Sequence, residues 1–353
     1  MGIETCVGLR QQAAPDAAIV ATAMEAMVAE AVLAERAGFH SIRVPDRHGR
    51  TDCYFPGSLQ LLSLLARETS RVAIGAFALP TTLYSPMLVA EQCAVIDNLS
   101  RGRLFMAWSR GKDYWSFFGV SEDRLLRRFI ETLEVLETSL RGERFSHHGE
   151  FYDVDDALLT PRSYQTPRFP FWGGGNVPAS IARCARYAEA WGCNDSPFTP
   201  EQWDEHAGAY REAAEVHGKR PFIVLMRNGW VAASKEQAVA EFGTEQVAQI
   251  QAKIAGGRAR ANLPFQSASA VTVDAVAEHL VIGTAADCIE RLEYYEEELG
   301  VDYVTMRFRL PDGRPFEAVR DQIERFGDEV VAHFHRRPNT APDHPAIPSG
   351  ARW

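Results

Sequence analysis

Short apolar runs alternate with longer helical periods along most of this 353-residue chain. The short runs have the length of strands, and the longer segments carry apolar residues at the spacings of three and four that place them on one helix face. About eight such units in one continuous span predict a (β/α)8 barrel, an α/β fold, over residues 1–335. A doubly wound sheet would alternate in the same way, but no GxGxxG sequence follows the first strand.

The predicted elements follow from this alternation and from residues typical of turns and helix caps. Gly38 and Gly142 are expected to end helices, and Ser85 with Pro86 is expected to begin one. The predicted strands are residues 5–9, 41–44, 72–79, 103–108, 171–172, 190–193, 222–232 and 303–308. The predicted helices cover about residues 21–37, 57–69, 85–98, 121–141, 178–188, the segment that begins at 199, 284–299 and 315–335.

Three segments depart from the regular pattern. Residues 143–169 are rich in aromatic residues, Asp and Pro, which predicts a hairpin and a loop. Residues 243–272 combine Gly, Ser and Arg without clear periodicity, so we interpret them as an insertion loop that acts as a lid. Residues 336–353 contain four prolines and are expected to form a mobile C-terminal tail.

Composition and charge exclude several classes of protein. The formal net charge of −10 argues against a nucleic-acid partner. No apolar run approaches the roughly 20 residues of a membrane span, so no membrane partner is expected. None of the six cysteines forms a CxxC pair, and the N-terminus lacks a secretory pattern, which predicts reduced cysteines in a cytoplasmic protein. No HExxH motif or His/Cys cluster is present, and no metal site is expected.

One predicted strand ends in an arginine that is followed by a glycine, Arg110 and Gly111. Burying an unpaired guanidinium is costly, so Arg110 needs a partner. An arginine at the carboxyl end of a barrel strand, beside a glycine that admits a ligand, suits an anionic cofactor. An ion pair with a nearby carboxylate explains the same residues equally well, and the sequence pattern leaves both interpretations open.

Four stretches in order make residues 1 to about 335 resemble the bacterial luciferase-like, flavin-dependent monooxygenase family. Each stretch alone is weak, but their order and spacing together are specific. They are Glu-Arg-Ala-Gly-Phe at 35–39 with Val-Pro-Asp-Arg-His at 44–48; Ser-Arg-Val-Ala-Ile-Gly at 70–75 with Asp-Asn-Leu-Ser-Arg-Gly-Arg at 97–103; Ser-Arg-Gly at 109–111 with Phe-Gly at 118–119; and Ile-Gly-Thr-Ala-Ala-Asp-Cys at 282–288 with Gly-Val-Asp at 300–302.

The resemblance implies a phosphate site for a flavin at the carboxyl ends of the strands. Arg110 matches the arginine that grips the flavin phosphate. Arg127 and Arg128 compete for a second arginine early in the next helix, and Arg128 is favoured. Amides at a helix N-terminus and guanidinium groups both favour a dianion. The resemblance also implies phosphate binding at the start of the predicted helix over 178–188, by Gly175 and Asn176 before it and by Ser180 within it.

The resemblance also implies where the flavin ring lies. Members of the family often carry a non-prolyl cis peptide bond beneath the isoalloxazine, and the matching bond is Phe77–Ala78. Ser109 stands where luciferases have a cysteine near the reactive edge of the flavin. The serine cannot be oxidised in that way, and its hydroxyl is expected to hydrogen-bond there.

The loop after the second strand departs from the family pattern. In luciferases a histidine that follows the acidic residue supports proton transfer, whereas here Arg47 follows Asp46 and His48 comes one position later. His48 suits proton transfer near neutral pH if the loop is shifted. Arg47 suits an anionic substrate. A loop histidine without a chemical role stays an alternative for His48.

The implied function is that of a two-component, FMN-dependent monooxygenase that oxygenates a small organic substrate with O2. Because the chain has no nicotinamide-binding motif, reduced FMN is expected to come from a separate flavin reductase. The resemblance also implies a homodimer. The alternatives are a deazaflavin-dependent oxidoreductase of the same family and a non-catalytic, flavin-binding subunit.

Overall fold

Eight parallel strands close into a barrel in a computed structural model that describes residues 1–5, 16–49, 56–111, 115–193, 198–255, 264–265, 267–309, 314–337 and 344–351. The strands are β1 (Gly2–Glu4), β2 (Ser41–Val44), β3 (Ala73–Pro80), β4 (Leu104–Ser109), the hairpin strands β5 (Phe145–His148) and β6 (Asp153–Ala157), β7 (Phe171–Gly174), β8 (Ala190–Cys193), β9 (Ile223–Val231), β10 (Val281–Gly283) and β11 (Tyr303–Arg307). The barrel order is β1-β2-β3-β4-β7-β8-β9-β11, and β11 pairs with β1. β10 pairs with the carboxyl end of β9. The predicted (β/α)8 barrel is confirmed.

Helices follow the strands and cover the outside of the barrel. They are α1 (Ala17–Arg36), α2 (Ser58–Glu68), α3 (Pro86–Ser100), α4 (Leu125–Leu140), α5 (Pro178–Tyr187), α6 (Pro200–Val216), α7 (Lys235–Ala238), α8 (Thr244–Ala255), α9 (Val273–Ala277), α10 (Ala285–Glu297), α11 (Phe316–Phe326) and α12 (Ala332–His335). Capping boxes at Thr199 and Thr284 begin α6 and α10, as their sequences predict. Gly38 and Gly142 have positive φ just beyond α1 and α4, as predicted.

Two predicted boundaries are wrong. The first strand is Gly2–Glu4 rather than residues 5–9, and residues 6–15 lie outside the described part of the chain. A Cβ on Gly2 would lie 2.2 Å from Oγ of Ser41, so glycine lets β1 fit between β2 and β11. α4 begins at Leu125 rather than Ser121, because Arg124 takes a left-handed conformation before it.

Part of the predicted lid loop is a helix. α8 covers residues 244–255, and its Val247, Ile250 and Ile254 pack with Trp230 and Phe242 in a separate apolar cluster. Their spacing of three and four is helical, but the glycines and serines that follow obscured it. Residues 256–263 and 266 of the predicted lid lie outside the described part.

The C-terminal segment is not a free tail over residues 344–351. Ala346 is fully buried, and its carbonyl accepts a hydrogen bond from Nε1 of Trp172 at 2.8 Å. This segment joins Phe105, Phe222 and Tyr303 in the cluster that fills the amino-terminal end of the barrel. The prolines exclude a helix, as predicted, but an extended segment still packs because its backbone groups find partners in the barrel. Residues 338–343 and 352–353 lie outside the described part.

Helix α1 corrects the expectation that no segment approaches the length of a membrane span. It has 20 residues, and its most apolar window has a mean hydropathy of 1.7. By length and composition alone, this is enough to cross a membrane. Ala31 packs in the main core, and Ala23 and Met27 pack with Leu61 of α2 and Phe316 of α11. Of that window, 28% is buried inside the structure.

Candidate functional site

The loop that follows β4 is fixed from the side of β3. Hydroxyls of Thr81 and Thr82 donate to the carbonyls of Ser109 and Arg110 at 3.3 and 2.6 Å. Oγ of Ser109 accepts from the amide of Gly111 at 3.2 Å, and Gly111 has a φ of +76°. These contacts hold the backbone of the loop and leave the side chain of Arg110 exposed at the carboxyl end of β4.

Three arginines around this loop have no carboxylate partner within the described residues. Arg110 is one, Arg128 on α4 is the second, and Arg183 on α5 is the third. Burial and the neighbouring guanidinium of Arg110 lower the pKa of Arg183. Arg110 and Arg183 are close enough for their like charges to interact, and in a chain of net charge −10 two such arginines indicate an anion site. Arg183 could not be predicted from the sequence, because its position on α5 belongs to no motif.

The two arginines that competed on α4 differ in their surroundings. Arg127 is 67% exposed by its side chain and forms an ion pair with Glu150. Arg128 is half-buried, and its Nε has no hydrogen-bond partner. α4 packs against the turn Thr81–Leu83, which also holds the carbonyl of Arg110. Of the two, Arg128 has the surroundings of an anion-binding side chain.

The loop between β7 and α5 makes a tight turn at the carboxyl end of β7. Gly175 has a φ of +144°, and a Cβ there would lie 2.1 Å from Oγ of Ser180. The hydroxyl of Ser180 donates to the carbonyl of Val177 at 2.8 Å and accepts from its amide at 3.2 Å. This hydroxyl is therefore engaged in the first turn of α5, whereas half-buried Asn176 precedes the helix. A role for Ser180 in binding phosphate stays a prediction.

Phe77 and Ala78 form a cis peptide bond in β3, as the resemblance implies. The ring of Phe77 lies inside the barrel, with the guanidinium of Arg43 4.5 Å from its centroid. A Cβ on Gly192 would lie 2.4 Å from Cζ of Phe77, and one on Gly174 would lie 3.7 Å away. Glycines on β7 and β8 thus leave room for the ring of Phe77.

The loop after β2 brings Asp46 and His48 together. Oδ2 of Asp46 accepts from the amide and the hydroxyl of Ser58 at 3.2 and 2.7 Å, at the start of α2. Nε2 of His48 lies 3.1 Å from Oδ1 of Asp46 and 3.4 Å from the hydroxyl of Tyr84. His48 is only 7% exposed. Arg47, between them, is exposed and lies outside this cluster.

Tyr84 and Ser58 are site residues that the sequence did not predict. Burial raises the pKa of Tyr84, and the carboxylate of Asp46 raises it further, so this hydroxyl keeps its proton and serves as a donor. Neither residue belongs to a motif, since their positions follow only from the folded loops.

Charged side chains also occupy the inside of the barrel below the site. The carboxylate of Glu4 lies 3.0 Å from Nη2 of Arg43 and 3.7 Å from Nη1 of Arg307. Nε of Arg307 donates to Oδ1 of Asn228 at 2.7 Å, and Nδ2 of Asn228 donates to Gln246 of α8 at 3.1 Å. This chain of contacts ties α8 to the barrel. Within the described ranges, no group of three His, Cys, Asp or Glu side chains is placed to hold a metal.

Comparison with known proteins identifies the family. The profile of the family described as luciferase-like monooxygenase matches residues 1–303. The chain belongs to this luciferase-like monooxygenase family, whose members are oxidoreductases.

The relatives include flavin enzymes and structures of the same fold. The oxygenase component of the flavin-dependent trigonelline monooxygenase of Acinetobacter baylyi is 26% identical over 328 residues, 86% of this chain and 87% of that protein. The monooxygenase RslO1 of Streptomyces bottropensis has a TM-score of 0.80 at 21% identity, over 94% of this chain and 99% of that one. The oxygenating constituent of 3,6-diketocamphane monooxygenase from Pseudomonas putida, in complex with FMN, has a TM-score of 0.73 at 15% identity, over 94% and 99%.

Deazaflavin enzymes are relatives as well. An F420-dependent glucose-6-phosphate dehydrogenase of Nakamurella multipartita is 26% identical over 200 residues, which are 54% of this chain and 58% of that protein. Membership in the family therefore establishes an oxidoreductase. It does not distinguish a flavin from F420 as the cofactor.

The described site fits a flavin nucleotide. Arg110 and Arg183 offer guanidinium groups without carboxylate partners, and α5 begins beside them. The half-buried ring of Phe77, packed against Gly192, offers an apolar surface inside the barrel. A phosphate and an aromatic ring system need these two kinds of surface.

Proposed function

We propose that the protein is an FMN-dependent monooxygenase that takes reduced FMN from a separate flavin reductase and uses O2 to oxygenate a small organic substrate. The observation that carries the proposal is the set of unpaired arginines, Arg110, Arg128 and Arg183, around the carboxyl ends of β4 and β7. The similarity to a flavin-dependent oxygenase component and the FMN complex of a structural neighbour support it.

The residues around the arginines would hold the cofactor. Arg110 and Arg183 would bind the phosphate with the first amides of α5, with Gly175 and Asn176 forming the turn before that helix. Phe77 and Ala78 would support the ring from the barrel side, and the hydroxyl of Ser109 would lie at its edge. Reduced FMN supplies the electrons that activate O2 for transfer of one oxygen atom to the substrate.

His48, positioned by Asp46, would transfer a proton during the reaction. Nε2 of His48 is 3.1 Å from Oδ1 of Asp46, an ion-pair contact in which Oδ1 accepts no hydrogen bond, so a small shift of the ring would align the two groups for proton transfer. The two hydrogen bonds from Ser58 fix the other carboxylate oxygen and therefore hold the dyad in place. His48 would hold or deliver a proton at Nε2, and exposed Arg47 would attract an anionic substrate at the rim of the site.

The phosphate assignment is tested by comparing FMN with riboflavin, which lacks only the phosphate. We expect Arg110→Ala and Arg183→Ala each to weaken FMN binding by about 1.5–3 kcal/mol, because each removes a charged hydrogen bond to the phosphate. Riboflavin binding should change by less than about 0.5 kcal/mol. Calorimetry measures both affinities, and Arg127→Ala, which pairs with Glu150, is the matched control. Equal losses for the two ligands would contradict the assignment.

A deazaflavin-dependent oxidoreductase is the second candidate, because the F420-dependent relative shares part of the chain. Direct titration of the same protein with FMN and with F420 separates the two functions. Tight F420 binding with weak FMN binding would favour the second candidate. Measurable flavin binding without any turnover by the isolated chain would favour the non-catalytic subunit.

A homodimer through α1 and α2 also belongs to the proposal. A groove of about 520 Å³ between these helices is lined by apolar side chains, including Met24, Val28 and Leu64. Glu25 lies toward one end of this groove and Arg36 toward the other. If two copies pack with their α1 helices antiparallel, Glu25 of one copy faces Arg36 of the other, so the surface is self-complementary. A cytoplasmic location is also part of the proposal. The four cysteines in the described part of the chain are free and buried, as expected for a reducing compartment.

A further inference from the structure

The hairpin formed by β5 and β6 is fastened to α4 through one carboxylate. Glu131 of α4 accepts hydrogen bonds from the amides of Phe151 at 3.0 Å and Tyr152 at 2.8 Å, and from that of Glu150 at 3.1 Å. A Cβ on Gly149 would lie 2.1 Å from Oε1 of Glu131, so glycine lets the carboxylate enter the turn. The turn of the hairpin is therefore held at a fixed place on the helix.

This attachment places two aromatic rings beside Arg128. The guanidinium carbon of Arg128 lies 5.3 Å from the ring centroid of Tyr152 and 5.9 Å from that of Phe151. The hydroxyl of Thr132 donates to the carbonyl of Arg128 at 2.8 Å and lies 3.0 Å from the hydroxyl of Tyr152. The ring of Tyr152 is thus tied to the same turn of α4 that carries Arg128.

The nearby carboxylate of the hairpin is used by other arginines. Glu150 forms ion pairs with Arg124, which precedes α4, and with Arg127 on α4. Arg124 also lies near the ring of Phe151, 5.6 Å from its centroid, but Arg128 differs in having no ion pair with Glu150. The buried Nε of Arg128 has no hydrogen-bond partner. A ring face orients a guanidinium without using its N–H donors and without neutralising its charge. A carboxylate would use the donors and cancel the charge.

We propose that the β5–β6 hairpin is a positioning element, in which the ring of Tyr152 orients the Arg128 guanidinium toward the cofactor phosphate while Glu150 draws away the competing arginines. Tyr152 is a positioning residue, since it acts through Arg128. The inference rests on the proposed function, because it takes the anion at this site to be the phosphate of FMN.

The test compares the dissociation constants of FMN and riboflavin in Tyr152 variants by calorimetry. Tyr152→Leu removes the ring and should weaken FMN binding about threefold to tenfold, with riboflavin changed less than about twofold. Tyr152→Phe keeps the ring and should bind FMN within about twofold of the parent protein. Tyr294→Leu is the matched control, because it removes a tyrosine that faces Arg291 at 5.7 Å on α10, far along the chain from the hairpin.

A second variant covers the case in which Tyr152→Leu does not fold. Glu131→Gln keeps both rings but weakens the attachment of the hairpin, and it should lower FMN affinity more than riboflavin affinity. Unchanged FMN affinity in both variants, or equal losses for FMN and riboflavin, would overturn the inference while leaving the function intact. A parent protein that binds FMN no more tightly than riboflavin would overturn the phosphate site itself.

Discussion

At the scale of single residues, some side chains of the site could be predicted from the sequence and others could not. Arg110 could be predicted because it directly follows a strand and precedes a glycine. Arg183 and Tyr84 could not be predicted, because each reaches the site from an element whose own pattern is ordinary. Glu4 was also missed, since a carboxylate inside a barrel is explained only by Arg43 and Arg307 from other strands.

Gly192 offers a direct test of the barrel wall at this scale. A Cβ there would lie 2.4 Å from Cζ of Phe77, so Gly192→Ala must displace the ring. We expect the free energy of unfolding to fall by about 1–3 kcal/mol, and FMN and riboflavin to lose affinity together. Urea denaturation and calorimetry measure these effects.

The matched control for this substitution is Gly208→Ala. Gly208 lies on α6, and nothing lies within 4 Å of an added Cβ. This change should raise stability by up to about 1 kcal/mol. If Gly192→Ala proves as harmless as the control, Phe77 does not pack against that wall as described.

At the scale of elements, regular periodicity predicted most helices and strands. Segments of irregular composition were predicted less well, because a loop was expected where the chain forms a helix or a fixed extended segment. The hairpin at 143–169 was predicted from its aromatic and turn residues, and its attachment by Glu131 was not, because amide donors carry no sequence signal. The helix α8 was hidden by the glycines after it. The C-terminal segment was predicted as mobile because proline excludes a helix, but extended backbone can still be fixed by contacts from distant strands.

The C-terminal segment should stabilise the barrel by closing its amino-terminal end. Truncation after residue 343 exposes Trp172 and removes buried His344 and Ala346, which are 4% and 0% exposed. We expect the free energy of unfolding to fall by about 2–4 kcal/mol, measured by urea denaturation. An unchanged urea midpoint would show that this segment is not fixed to the barrel.

The contribution of His344 should depend on pH. Burial, together with nearby Arg220, lowers its pKa from 6.5 to about 4, while Glu189 acts in the opposite direction. Nδ1 accepts from the amide of Ala346 at 3.0 Å, which requires the neutral ring. The unfolded chain binds the proton first, so stability should fall as pH drops from about 6.5 to about 4. In His344→Gln this slope should be reduced, whereas in the control His217→Gln, at an exposed residue, it should persist.

At the scale of the whole molecule, alternation of strands and helices was enough to predict the barrel, because few folds satisfy it with this length. The family followed from motifs at the ends of strands. The substrate does not follow from either, since fold and cofactor site are shared among many reactions. The way copies associate is also undetermined by periodicity, because an apolar helix face looks the same whether it covers a barrel or a second chain.

The proposed dimer is tested by exchanging charges across α1. Glu25→Arg and Arg36→Glu should each weaken self-association, measured by sedimentation, because each places like charges opposite one another. The double variant should restore it, since the pairing is then reversed. Leu64→Asp in the groove should give a monomer, whereas Val216→Asp, at a residue that is 82% exposed on α6, should not. A double variant weaker than both single variants would contradict the antiparallel arrangement.

The most direct test of the central claim is to load the protein anaerobically with reduced FMN, mix it with oxygenated buffer and follow the flavin spectrum over time. The proposed monooxygenase should reoxidise its bound flavin more slowly than free flavin, through a distinct spectral phase, because the site orients the cofactor and excludes water. Arg110→Ala should lose this phase at the same FMN concentration. Reoxidation of bound FMN at the rate of free flavin, without a distinct phase, would contradict the claim that this barrel is a flavin-dependent monooxygenase.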